Sequence, residues 1–164
     1  MAAIILAAGR SRRMDGLDKM MVPVGGQPLL AHSLGLLGSS SLVDSVVLVM
    51  SRENIGEGEI LVRESGLGGV ATVCEGGSRR QDSVRNGLEY IGGAEWVVVH
   101  DGARPCVTDD LVASGLTYSR DSGAATAAVP VNDTIKLAGP EMMVGKTIDR
   151  NGLWAVQTPQ VFKA

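Results

Sequence analysis

Apolar residues in this chain come in short unbroken blocks separated by polar and glycine-rich stretches. The blocks of strand length are Ala3 to Leu6, Ser45 to Met50, Ala71 to Cys74, Trp96 to His100 and Ala124 to Val129. Strands covered on both faces need no alternation of apolar and polar positions, so these blocks predict a buried, mostly parallel sheet. Between them the apolar spacing changes to three and four residues. Leu30, Leu34 and Leu37 follow Pro28, which suits a first helical position, and Val84, Leu88 and Ile91 repeat the spacing. Thr108 followed by Asp109 and Asp110 predicts a capped helix through Tyr118. Strand and helix therefore alternate, as parallel βαβ units require.

The rhythm breaks after Asn132. Thr134-Ile135-Lys136-Leu137, a Gly139-Pro140 turn and a second extended stretch ending near Ile148 predict a hairpin over about 132–148 that projects from the sheet. The expected fold is α/β, a three-layer, Rossmann-like, mostly parallel sheet with a projecting β-hairpin arm, in a single domain over 1–164.

Composition narrows the function by exclusion. A chain of 164 residues is long enough to bury a core. A net charge of −3 and 3% aromatic residues give neither the electrostatic footprint nor the stacking platforms of a nucleic-acid binder. Cys74 and Cys106 form no C-x-x-C, so neither zinc nor a disulfide framework is expected, and a reducing cytoplasm is the expected compartment. The apolar N-terminus has no basic region before it and ends in Gly9-Arg10, unlike a secretion signal. No stretch approaches the ~20 apolar residues that span a bilayer, so no membrane role is expected.

The chemistry is concentrated where the first strand ends. Ala7, Ala8 and Gly9 offer small side chains and backbone N–H groups, and Arg10, Arg12, Arg13 and Lys19 follow. Ligands of open α/β sheets sit beyond the carboxyl ends of the strands, so a polyphosphate suits this point; a solvated basic loop would carry the same residues. The pattern G-x-x-x-x-G-K-[ST] and the fingerprint G-x-G-x-x-G are both absent, which disfavours a kinase, a GTPase or a simple NAD enzyme. Asp101 closes the Trp96–His100 block. It can give magnesium one of the one or two carboxylates that ion usually takes from a protein, with Arg104 nearby, or it can cap the turn at Gly102. His100 falls on the other face of that strand and reads as a packed structural histidine. Gly76 to Ser83 joins a strand to a helix, a place where backbone groups and the Ser83 hydroxyl could select a pyrimidine and exclude a purine.

Four segments in order carry a resemblance. Leu6-Ala7-Ala8-Gly9-x-Ser11-x-Arg13-Met14 with a downstream lysine looks like the opening of the sugar-nucleotidyltransferase superfamily. Gly76-Gly77-Ser78-Arg79-Arg80-Gln81-Asp82-Ser83-Val84, Val99-His100-Asp101-Gly102-Ala103-Arg104-Pro105, and Asp149-Arg150-Asn151-Gly152-Leu153-Trp154 running into Gln157-Thr158-Pro159-Gln160 narrow it. Together they resemble the 2-C-methyl-D-erythritol 4-phosphate cytidylyltransferase family of non-mevalonate isoprenoid synthesis. The family usually has proline before the lysine, whereas here Asp18 adds a negative charge beside Lys19.

The resemblance implies a reaction and a set of roles. A polyol phosphate attacks the α-phosphorus of CTP and pyrophosphate leaves. Arg13 and Lys19 are the matching catalytic residues. Ala7, Ala8, Gly9, Gly76, Arg80, Ser83, Asp101 and Arg104 form the nucleotide site, with magnesium (Mg2+) held at Asp101, while Arg79 is a solvated neighbour. Arg150 matches the arginine that binds the acceptor phosphate in a partner subunit, which implies a homodimer joined through the hairpin arm. The family continues beyond Phe162 and carries a second active-site lysine there, so the chain is expected to lack the family's C-terminal part. Two alternatives remain at this point: a cytidylyltransferase for ribitol 5-phosphate or another alditol phosphate, and a CTP-binding or dimerising remnant without activity.

Overall fold

The computed structural model describes residues 1–9 and 18–164. Strand β1 (Ala2–Leu6) leads through a small ribbon, β2 (Pro23–Val24) and β3 (Gln27–Pro28), into helix α1 (Leu29–Ser39) and strand β4 (Ser45–Met50). A 3-10 turn (Arg52–Asn54) and α2 (Ile55–Glu64) precede β5 (Ala71–Glu75), and α3 (Arg80–Leu88) precedes β6 (Trp96–Asp101). Then follow α4 (Asp109–Ser122), β7 (Ala124–Pro130), β8 (Ile135–Ala138), β9 (Val144–Ile148) and β10 (Trp154–Lys163).

Six strands share one sheet in the order β5-β4-β1-β6-β10-β7. From β1 the chain steps outward through β4 to β5, then returns by α3 to place β6 on the other side of β1. Ile4 pairs in parallel with both Val47 and Val99, and this point of reversal is where an open α/β sheet leaves a crevice at its strand ends. One face packs Ala3, Ile5, Leu48, Met50 and Val98 against Leu30, Leu34 and Leu37 of α1, with α2 and α4 beside it. The other packs Ile4, Leu6, Val47, Val49, Val97 and Val99 against Val84 and Ile91. Strand residues thus alternate between two cores. α3 comes close enough to β1 that a Cβ on Gly87 would stand 2.9 Å from Ile4 Cγ2.

The expected layers, strands and hairpin are present, with β8 and β9 pairing Ile135 to Ile148. Several boundaries differ. Pro28 is the N-cap of α1 rather than its first residue, with φ −53° and ψ 142°. α3 starts at Arg80 and stops at Leu88, and Ile91 lies in the turn beyond, where Gly92 and Gly93 take φ of 64° and 81°. Thr108 caps α4 as expected, its hydroxyl accepting from the Leu111 N–H at 3.2 Å, but the helix runs on to Ser122 and ends at Gly123, φ 78°. No expectation covered α2 or β10. Gly56 and Gly58 weaken the helical signal of α2; Gly58 is needed because a Cβ there would lie 2.8 Å from Met50 Cγ. β10 is broken in sequence by Gln157-Thr158-Pro159-Gln160, and a proline within a run argues against an interior strand. The sheet absorbs the interruption by a register shift between Val156 and Gln160, and β10 runs antiparallel to both β6 and β7.

Candidate active site

The strand ends and the loop after β5 enclose a cleft of about 1110 Å3, lined among others by Ala8, Gly9, Lys19, Gly76, Arg80 and Asp101. Its floor is the end of β1. The Ala7 side chain is buried and its N–H donates to the Val49 carbonyl at 2.8 Å, so only Ala8 and Gly9 of the expected trio face the cleft. Lys19 lines the cleft beside them. Asp18 turns toward the backbone instead, its carboxylate accepting from the Met20 N–H at 2.9 Å and from Asn54 Nδ2. The added negative charge therefore caps a turn. Arg13 falls within residues 10–17, outside the described residues.

Glycines in the second wall serve close packing as much as ligand approach. A Cβ on Gly76 would stand 2.3 Å from the Ala8 Cβ, and one on Gly77 2.3 Å from the Asp82 Cβ, so the loop closes against β1 and α3 only because both residues lack side chains. Ser83 is buried behind this loop. Its hydroxyl accepts from the Gly77 N–H at 3.1 Å and lies 3.3 Å from the Arg79 carbonyl, so in this form it braces the loop. Asp82 accepts from the Arg79 backbone N–H at 3.1 Å and from its guanidinium at 2.8 Å, which holds its carboxyl down at about 2. Arg79 thus braces the loop through Asp82, although it too lines the cleft.

The third wall gathers charge. Asp101 takes Arg80 on one carboxylate oxygen at 3.3 Å and Arg104 on the other at 3.1 Å. All three side chains are a third to a half exposed, so these pairs are weakly held and a polyphosphate can displace the carboxylate from either guanidinium at little cost. Sequence reasoning missed the supports. Gln160 accepts from Arg80 Nη2 at 3.0 Å, and Gln157 accepts from the Arg104 guanidinium. The available signal was the paired glutamines within β10. His100 lies on the opposite face, buried as expected, and burial pushes its imidazole pKa down.

Among the described residues no three His, Cys, Asp or Glu side chains converge as metal ligands. Asp101 could give magnesium one carboxylate, with the rest of the coordination coming from a substrate's phosphates and water rather than from a protein cage. Arg150 does not line the cleft of its own chain; it donates to the Asn132 carbonyl at the root of the arm.

Comparison with known proteins identifies the family. The family described as IspD, 2-C-methyl-D-erythritol 4-phosphate cytidylyltransferase, matches residues 1–164. A 2-C-methyl-D-erythritol 4-phosphate cytidylyltransferase from Dehalococcoides mccartyi (strain CBDB1) is 47% identical over 162 residues, covering 99% of this chain and 71% of the relative. One from Shouchella clausii is 44% identical over 163 residues with the same coverage, 99% and 71%. The crystal structure of 4-diphosphocytidyl-2C-methyl-D-erythritol synthase from Anaerococcus prevotii superimposes with a TM-score of 0.82 at 28% identity, covering 99% of this chain and 69% of that one. The cytidylyltransferase structure from Thermus thermophilus gives 0.72 at 32% identity, covering 99% and 70%. By sequence and by fold, the chain belongs to the 2-C-methyl-D-erythritol 4-phosphate cytidylyltransferase family.

Proposed function

We propose that this chain joins CTP to 2-C-methyl-D-erythritol 4-phosphate, giving CDP-methylerythritol and pyrophosphate. The observation that carries the reading is the placing of Lys19, Arg80 and Arg104 around a glycine-lined cleft at the point where the sheet reverses. A phosphate monoester has its second pKa near ~6 and is ionised at neutral pH, so the acceptor needs no general base. What remains is repulsion between two anions and the alignment of attacking and leaving oxygens.

Lys19 and Arg13 meet the first need by stabilising charge on the transferring phosphorus, and Arg80 and Arg104 hold the triphosphate once they leave Asp101. The loop from Gly76 to Ser83 admits a small base. Asp101 is the carboxylate that would hold a magnesium ion, whose chemistry is neutralisation of phosphate charge. Arg150 acts from the neighbouring subunit: the arm carries exposed Leu137, Met142, Met143 and Val144, apolar surface that a second copy would cover, and a guanidinium suits a bidentate phosphate contact. The free state of Cys74 and Cys106 accords with a cytoplasmic enzyme.

Incubation with CTP, magnesium and methylerythritol phosphate, with ribitol 5-phosphate in a parallel reaction, tests the proposal by mass detection of the CDP-linked product. Product from the first acceptor alone is expected. Product only from ribitol phosphate, or from neither, rejects it.

A further inference from the structure

Three polar side chains buried in the apolar layers point at one turn. Ser33 of α1 is 0% exposed, His100 of β6 is 1% and Thr158 of β10 is 8%, and all meet at residues 101–104, the turn that carries Asp101 and Arg104. His100 Nε2 lies 3.0 Å from the Arg104 carbonyl, which can only accept, so that nitrogen carries the hydrogen. Nδ1, 3.1 Å from the Thr158 hydroxyl, is then the acceptor and Thr158 donates to it. The Thr158 oxygen in turn accepts from the Asp101 N–H at 3.1 Å. From the other side the Ser33 hydroxyl donates toward the Gly102 carbonyl at 3.1 Å and the Arg104 carbonyl at 3.2 Å.

The His100 and Thr158 protons each have one acceptor in this set of contacts, the Ser33 proton is shared between two carbonyls, and no buried side-chain polar atom among the described residues lacks a partner. The turn is also pressed onto α1, since a Cβ on Gly102 would come within 2.6 Å of Leu30 Cδ1, and the Gly102 N–H bonds the Leu6 carbonyl at 2.9 Å. An apolar side chain at position 100 would fill the same space without requiring the two partners that the imidazole has, so packing alone does not account for the imidazole.

We infer that His100 and Ser33 are positioning residues: through the 101–104 backbone they aim Asp101 and Arg104 into the cleft. The inference rests on the nucleotide role proposed above for those two side chains. Residues that orient a ligand-holding group change affinity by about 10-fold to 100-fold when removed.

The test is calorimetric titration with magnesium-CTP, paired with heat unfolding and amide exchange, on His100→Phe, His100→Gln and Ser33→Ala. His100→Phe is expected to weaken magnesium-CTP binding about tenfold or more, to speed exchange of the Asp101 and Arg104 amides, and to leave the unfolding midpoint nearly unchanged. His100→Gln, whose amide can reach the Arg104 carbonyl, should recover most of the affinity. In an Arg104→Ala background the loss on His100→Phe should shrink. Should His100→Phe fail to fold, Ser33→Ala gives the same readouts in milder form. Unaltered magnesium-CTP binding, or a loss of the same size in the Arg104→Ala background, overturns the inference. If Arg104→Ala itself leaves binding untouched, the nucleotide reading fails separately, and amide exchange decides the positioning role: faster exchange in His100→Phe upholds it and unchanged exchange refutes it.

Discussion

The two ends of the sheet are built differently. Around β1, β4 and β6 the strands are covered on both faces, and Ile4, Ile5, Val47, Leu48 and Val98 are all fully buried. At the other end α4 covers one face of β10 and β7, where Gly115 lets the helix approach Val161, but the opposite face leaves Trp154 59% and Val156 57% exposed. The arm beyond is more open still. The first end completes its core within the chain and carries Asp101 and Arg104, which β10 helps to hold, while the second presents apolar surface of the kind that marks an interaction site. The proposed function puts chemistry on CTP at the closed end and delivery of the acceptor at the open end with its arm.

The sharpest break between the two ends is catalytic. Lys19→Ala, at the closed end, should lower kcat by on the order of 10²–10³ with a smaller change in CTP affinity, because its charge acts on the transition state. Steady-state kinetics checks this, and near-normal turnover removes Lys19 from the catalytic set.

The open end is probed by mixing subunits. Lys19→Ala and Arg150→Ala homodimers should each be nearly inactive, and exchange between them should restore on the order of a quarter of wild-type activity, since half the dimers then hold one intact site. Demonstrated exchange without recovery returns Arg150 to its own chain.

Stability supplies a smaller contrast. Leu48→Ala, in the doubly covered region, should cost about 2–5 kcal/mol, as large-to-small core changes do. Val156→Ala on the open face should stay within about 0.5 kcal/mol for the isolated chain. Denaturant unfolding compares them, and equal losses would show the open face to be covered after all.

The same division governs what could be read from sequence. The β1, β4 and β6 blocks are apolar because both faces are buried, and a strand of that kind announces itself. β10 is hidden because its middle residues serve the site: Gln157, Thr158 and Gln160 hold Arg104, Asp101 and Arg80, and polar residues with a proline do not look like a strand. Gly76 was read as an opening for a base, and its packing against Ala8 depends on a strand pairing that no local pattern carries. Ser33 sits among the leucines of α1 and draws no notice until the fold sets it beneath the 101–104 turn. Asp101 and Arg104 lie close in sequence and were legible as a pair, whereas Arg80 reaches Asp101 only through the crossover from β5 to β6.

Base selection by the closed end is the central claim, and one titration tests it most directly. Calorimetry of the unmodified chain with magnesium-CTP, magnesium-ATP and magnesium-GTP should show CTP binding at least about tenfold more tightly than either purine nucleotide, because the loop from Gly76 to Ser83, which closes on Ala8 and α3, is proposed to select a small base. Equal affinities for CTP and ATP would contradict the account.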